Sequence, residues 1–397
     1  MDDQPKSVKD LLVEAKDASE LMVDLAYAAV FFNEEKLARE VERLEERMNE
    51  HLRRLRIMAM LAARSPEDAE GMAGVLWIAS AIEKIGDAAS DIARVVAARL
   101  GIPDGLRRDL RHADEMTARV KIRPDAPAIG RNLRDLSLPT ETGMWVMAIR
   151  SGIDWEFDPG PEDVLSEGDV LLVRGPGEGV RLLRELAGAP PMPEVEDDDA
   201  PPLSEFDRAL DILVEMKDLS EAAVGLAYSS LLFNNKSLAA EVGVLETRSD
   251  QLQDELESWV LRASPEARDV DELRGLIRLA SASESICDAA RDMTWYVEQG
   301  EPLHPVVQMA LEETEETSAE TVVQPGSPAD GHSLRDLRFE TETGMFVLAV
   351  QRGTRWVYRP RGPFTLQAGD RLISVGPDEG EDELIALCGE QERPEDD

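Results

Sequence analysis

Near the start of the chain, apolar residues recur at alternating steps of four and three. Leu11, Ala15, Ala18, Met22, Leu25 and Ala29 form one stripe, the pattern of a helix that buries a single coiled-coil-like seam. Leu37, Val41, Leu44 and Met48 make a second stripe, and Val75, Ile78, Ile82, Ile85, Ala89, Ile92 and Val96 a third. Such seams bury only against one another, so the pattern predicts an antiparallel three-helix bundle. Further on the period changes. Met144–Ile149 and Val170–Val173 are short apolar runs bounded by glycine and proline, the second fed by the turn Glu167-Gly168-Asp169; both predict strands. Gly179–Leu186 predicts a closing helix, and the segment a small α+β module; Trp145 and Trp155, with Phe346 and Trp356 as counterparts, read as its core or, alternatively, as an aromatic wall for a nucleotide base at a dimer interface.

The whole pattern then returns. Adding 201 to a residue number in the first half gives its counterpart in the second: Val13–Asn33 and Val214–Asn234 are identical at 12 of 21 positions, and Leu133–Val146 and Leu334–Val347 at ten of 14. One offset in both places means that a complete unit was duplicated. Between the halves, the proline-rich and acidic stretch 189–204 predicts an extended linker. Breaks at 123–130 and 324–331 divide each half again. The expected architecture is α+β and multidomain: helical bundles over 7–122 and 205–323, α+β modules over 130–188 and 331–390.

Motifs in both segments resemble known families. LEERMN from Leu44, IEKIGDAASDIA from Ile82, LETRSD from Leu245 and SESICDAARDM from Ser283 make the helical parts similar to the PhoU family. ETGMWVMAIR from Glu141, LSEGDVLLVRG from Leu165, TETGMFVLAV from Thr341 and LQAGDRLISVG from Leu366 make the α+β parts resemble the C-terminal domain of RCK/TrkA proteins. The resemblance implies a non-enzymatic, ligand-sensing regulator of potassium or other cation transport, working on a Trk- or Ktr-type transporter or channel. It implies cyclic di-AMP or a cation as ligand of the RCK-type modules and iron or manganese at the PhoU-like helices. The nucleotide-binding half of full TrkA proteins is replaced by helices, so no NAD is expected. A PhoU-type phosphate-uptake regulator with a metal-binding carboxylate face is the alternative. A homodimer is expected, the duplication suggesting that the two α+β modules pair within one chain or across that dimer.

Charge narrows the partners. The chain has 397 residues, with 82 Asp and Glu against 43 Lys and Arg, a net charge of −39. Such a field repels nucleic acid and anionic membrane surfaces. Cation capture is one reading of the acidity; adaptation of the whole surface to molar salt is the plainer one, because the acids are spread throughout. Cys287 and Cys388 lie far apart without metal-ligand spacing, which fits a reducing, cytoplasmic setting. The start of the chain lacks a secretory pattern, and its longest apolar run, Leu25–Phe32, is too short to span a bilayer, so no direct membrane insertion is expected.

Within that acidic background one pattern is periodic. Glu83, Asp87 and Asp91 step by four, as do Glu284, Asp288 and Asp292. Both rows lie opposite the buried seam, where like charges at that spacing repel. Such oxygen-rich rows suit a hard cation or a metal cluster, with Glu45, Glu246 and Asp250 on the second helix of each bundle completing the ligands; Asn49, where the second half has Asp250, weakens the first-half site. A solvated acidic face is the competing reading. Gly175, Gly177 and Gly179 do not match GxGxxG and read as a structural strand-to-helix turn. His51, His112, His304 and His332 are scattered and form no metal site.

Overall fold

A computed structural model describes residues 6–101, 116–191, 205–263, 270–301 and 303–389. Position 112 and most of the acidic stretch, residues 192–204, lie outside them. The first half holds α1 (Val8–Phe32), α2 (Glu35–Ala62), α3 (Pro66–Ala97), β1 (Met116–Lys121), α4 (Leu133–Leu136), α5 (Leu138–Thr142), β2 (Trp145–Ser151), β3 (Asp154–Phe157), β4 (Val170–Gly175) and α6 (Gly177–Leu186). The second half holds α7 (Glu205–Leu232), α8 (Lys236–Ala263), α9 (Val270–Gln299), α10 (Val306–Leu311), β5 (Thr317–Val322), α11 (Phe339–Thr343), β6 (Phe346–Arg352), β7 (Arg355–Tyr358), β8 (Arg371–Gly376) and α12 (Gly380–Cys388). The duplicated segments do not stay apart as four bodies. Both helical bundles gather into one compact unit and both sheets into another.

In the helical unit the local signals are explicit. Ser7 and Asp10 form a reciprocal capping box at the start of α1, and Asn33 ends the helix in the left-handed conformation at φ 49°. Asn234 ends α7 in the same conformation, at φ 45°. Ser65 caps α3, with Pro66 at its first position. Each trio of helices closes a three-helix bundle, and α3 packs against α9 to join the two bundles.

The joint contains a buried polar network that repeats itself about the duplication. Tyr27 Oη lies 2.9 Å from Ser283 Oγ and 3.4 Å from Ser220 Oγ, while its counterpart Tyr228 lies 3.3 Å from Ser19 Oγ. Lys16 Nζ stands 5.5 Å from the Tyr228 ring centroid and Lys217 Nζ 5.5 Å from that of Tyr27. Tyr27, Tyr228, Ser19, Ser220, Lys16 and Lys217 all lie in the repeated stretch Val13–Asn33 and Val214–Asn234, and each repeat supplies them to the other.

In the other unit each module is a four-stranded antiparallel sheet, ordered β1-β4-β2-β3 and β5-β8-β6-β7. One face of the first carries the core, with Val120, Ile149, Leu171 and Val173 packed on Leu138 and Val180. The shared Thr-Gly motif has a mechanical reason. Thr142 Oγ1 donates to Leu138 O and accepts from Met144 N, and Gly143 at φ 70° turns the chain into β2. Thr343 and Gly344 repeat the arrangement. The two modules meet through α5 and α11, with an Arg338 Nε–Glu178 Oε1 pair at 3.2 Å and an Arg174–Glu316 pair.

Two expectations need correction. The strands β1 and β5 fall inside segments assigned to the helical bundles, and the breaks at 123–130 and 324–331 are loops within the sheet modules. Met116–Lys121 and Thr317–Val322 are edge strands whose polar residues alternate with few apolar ones, so they show no apolar run. The second concerns Trp145 and Trp155. Register pairs Trp145 with Arg174 and Trp155 with Arg150, which puts both rings on the face away from the core, half-buried. Phe346 and Trp356 are likewise half-buried.

Candidate functional site

The two acidic rows sit on equivalent helices but have diverged in their partners. In the first repeat, arginines answer most of the carboxylates. Arg56 pairs with Glu83, and Arg94 with both Asp91 and Glu45. Asp87 faces Glu45, Glu83 and Asp91, and its carboxyl is pushed above the usual range, first by burial and then by those charges. Asn49 leaves this row one carboxylate short.

The second repeat has the same acids without those arginines: Glu257 stands at the position of Arg56 and Trp295 at that of Arg94. Glu246, Asp250 and Asp288 bring one carboxylate oxygen each within 4.8 Å of one another. Burial raises Glu284 to about 7, and the charge of Asp288 and a proton shared with it add to the effect. Asp288 is raised by burial and by Glu246 and Asp292, and Asp250 by burial and by Glu246 and Asp288. Two cations border the group. Arg291 Nη1 lies 2.9 Å from Glu246 Oε2, and Lys84, reaching over from α3, pairs with Asp292.

Of the eight acids singled out in the sequence, three therefore converge: Glu246, Asp250 and Asp288. Glu284 stands behind them, Asp292 is held by Lys84, and Glu83, Asp87 and Asp91 form a separate row crossed by arginines. Clustered hard oxygens with elevated proton affinity are the donor set of a cation site. Sequence reasoning missed Arg56, Arg94, Lys84 and Trp77. The signal was in the repeat itself, where arginine in one half faces glutamate or tryptophan in the other.

In the sheet unit, Arg119 and Arg150 both lie over the Trp155 ring, at 5.7 and 5.5 Å from its centroid. Asp169 accepts from Ser151 Oγ, while its counterpart Asp370 is paired with Arg352. The glycines after β4 act structurally: a Cβ on Gly179 would lie 2.1 Å from Thr142 O, so only glycine lets α6 start there.

Known proteins match this layout segment by segment. The PhoU domain model matches residues 12–96 and 213–296, and the TrkA-C domain model matches residues 117–188 and 319–389. A 69-residue segment is 36% identical to the "uncharacterized transporter sll0640" of Synechocystis, and a 67-residue segment 39% identical to the "uncharacterized protein YrvC" of Bacillus subtilis. Those segments are 17% and 16% of this chain and span 11% and 41% of the relatives' own lengths. Among solved structures, PhoU from Pseudomonas aeruginosa is similar over 74% of this chain and 96% of its own, at 15% identity and a TM-score of 0.41. The phosphate transport system regulatory protein PhoU from Streptococcus pneumoniae is similar over 75% and 97%, at 10% identity and a TM-score of 0.41. The TrkA-C matches begin inside β1 and β5, in agreement with the sheets. The chain carries a PhoU domain followed by a TrkA-C domain, and it carries that pair twice.

Proposed function

We propose that this chain is a cytosolic, ligand-sensing regulatory subunit of potassium transport that acts on a Trk- or Ktr-type transporter or channel. Both of its domain families are regulatory rather than catalytic. Among the described residues no helix is long and apolar enough to cross a membrane, and ion flux is assigned to a partner. The observation that carries this reading is the pairing of two TrkA-C modules in one chain, joined through α5 and α11. A ligand that prefers one arrangement of such a pair shifts its population and can bias a partner between states. Cyclic di-AMP and potassium are the ligands to titrate. Calorimetry should give heat with one of them, and co-purification from cells in molar potassium chloride should recover a potassium transporter. Absence of heat with both ligands rejects the sensing step; recovery of a different class of transporter rejects potassium.

The carboxylate cluster favours a second reading, a phosphate-uptake regulator that carries iron or manganese. Glu246, Asp250 and Asp288 would hold the ion, and Glu284 would support Asp288. The residues fit a hard cation, since three carboxylate oxygens already converge within 4.8 Å. Elemental analysis after manganese loading decides: an ion retained by the native chain and lost in Asp250→Asn and Asp288→Asn supports this assignment. Equal content in all three rejects it.

A further inference from the structure

We infer that the outer face of the first sheet, around Trp155, is a binding site for a phosphoryl group. The site stands apart from the carboxylate cluster and does not depend on which ion a partner transports.

Strand register carries the argument. Lys121, Val170, Arg150 and Trp155 stand side by side across β1, β4, β2 and β3. Arg119, Leu172, Ala148 and Phe157 form the next row on the same face. Asp154 and Glu156 alternate with Trp155 and Phe157 along β3 and so belong to the opposite face. The two rows therefore hold Lys121, Arg150 and Arg119 and no carboxylate, in a chain with 82 Asp and Glu against 43 Lys and Arg. Arg174, further along the same face, is answered by Glu316. Lys121 and Arg150 have no carboxylate partner among the described residues.

The second module shows the same face closed on itself. Its rows read Val322, Arg371, Gln351, Trp356 and Glu320, Ile373, Ala349, Tyr358. The arginine and the glutamate in them pair with each other, Arg371 with Glu320. Aromatic rings persist in both modules, so they belong to the fold; the excess of cations belongs to the first module alone.

An independent observation points the same way. The Trp155 indole nitrogen is buried and has no acceptor among the described residues, whereas buried donors are nearly always satisfied. Its ring is held by Phe157, stacked at 5.9 Å, and by the guanidinium groups of Arg119 and Arg150, 5.7 and 5.5 Å from its centroid. A guanidinium fork matches two oxygens on one centre, and the ammonium and the indole each add a donor. A phosphoryl group has the oxygens for such a set; a carboxylate has only two.

The test labels the full chain with 5-fluorotryptophan, so that its six tryptophans report separately by fluorine resonance. Trp155→Phe and Trp356→Phe identify the two sheet signals. Inorganic phosphate is titrated in molar potassium chloride at constant ionic strength, and vesicles of phosphatidic acid in a second arm. The expected result is a saturable shift of the Trp155 signal while that of Trp356 stays in place. Arg150→Gln and Lys121→Val install the second module's residues and should each weaken binding about tenfold, the weight of one charge-assisted hydrogen bond. The other tryptophan signals should hold their native positions in both variants, which shows that the fold is kept. A response to free phosphate assigns a soluble ligand, and a response to vesicles alone assigns a lipid headgroup. No saturable shift in either arm overturns the proposal. So does an equal shift at Trp356, or binding that both substitutions leave unchanged.

Discussion

The buried network at the joint of the two bundles allows a sharp test of which group donates to which. Ser283 Oγ donates to Leu279 O at 2.9 Å, and Ser220 Oγ to Lys217 O at 2.8 Å, so each serine proton is spent on its own helix. With the serine protons so placed, we assign the Tyr27 hydroxyl as donor, to Ser283 at 2.9 Å and more weakly to Ser220 at 3.4 Å. Burial pushes that phenol up to about 12, so it keeps its proton throughout the neutral range. Tyr27→Phe removes one donor and leaves both serines satisfied by their carbonyls, a loss of about 1 kcal/mol. Ser283→Ala removes the good acceptor and leaves a fully buried phenol with only the 3.4 Å contact, a loss of about 2 kcal/mol. Tyr228→Phe, with a single contact at 3.3 Å to Ser19, should cost about 0.5 kcal/mol. The order is Ser283→Ala, then Tyr27→Phe, then Tyr228→Phe. Denaturant unfolding in molar potassium chloride, followed by far-ultraviolet dichroism of the helices, measures it; each kcal/mol shifts a thermal midpoint by about 2–4 °C in a unit of this size. A Ser283→Ala variant no less stable than Tyr27→Phe would refute the reasoning that a stranded buried phenol costs more than a lost donor.

Three further outcomes follow from the site and the sheets. Because folding raises Glu284 to about 7, the native state binds an extra proton between the unfolded value near 4.5 and 7. Stability should therefore fall as pH rises through that window, by about 1–2 kcal/mol after allowance for solvent screening; Glu284→Gln should flatten the melting-temperature profile. In the sheet unit, Arg352→Ala takes the cation from the Asp370 carboxylate, whose side chain is 1% exposed and which keeps the Gln367 N–H, and should cost about 2–3 kcal/mol. Ser151→Ala at the equivalent place removes one neutral donor from Asp169 and should cost about 1 kcal/mol; equal losses in chemical denaturation would contradict the ion pair's role. Gly179→Ala drives a methyl into Thr142 O and should cost about 3 kcal/mol. Gly152→Ala, with nothing within 4 Å but φ 66°, should cost only about 1 kcal/mol of backbone strain.

Much of the architecture could be read from the chain. Helix periods, caps and the 201-residue offset are local or translational properties, so Leu11 to Ala29 and Ile212 to Ser230 announced their helices without tertiary help. The Thr-Gly-Met motif and the Gly-Asp turns marked the sheet modules for the same reason. Edge strands β1 and β5 escaped because one row of polar side chains along an edge resembles a loop, and Trp145 and Trp155 were misplaced because a sheet has two faces. The acidic rows were visible as spacing, but spacing is equal in both repeats and could not separate them. Convergence of Glu246, Asp250 and Asp288 needs α8 laid against α9, and neutralisation of Glu83 needs α2 laid against α3. The joint between the bundles, with Tyr27 reaching Ser283 and Lys84 reaching Asp292, brings together residues 256 and 208 positions apart. Periodicity along one helix determines which face is buried; only packing between helices determines which charges meet there, because electrostatic pairing depends on distances across the seam that no single segment encodes.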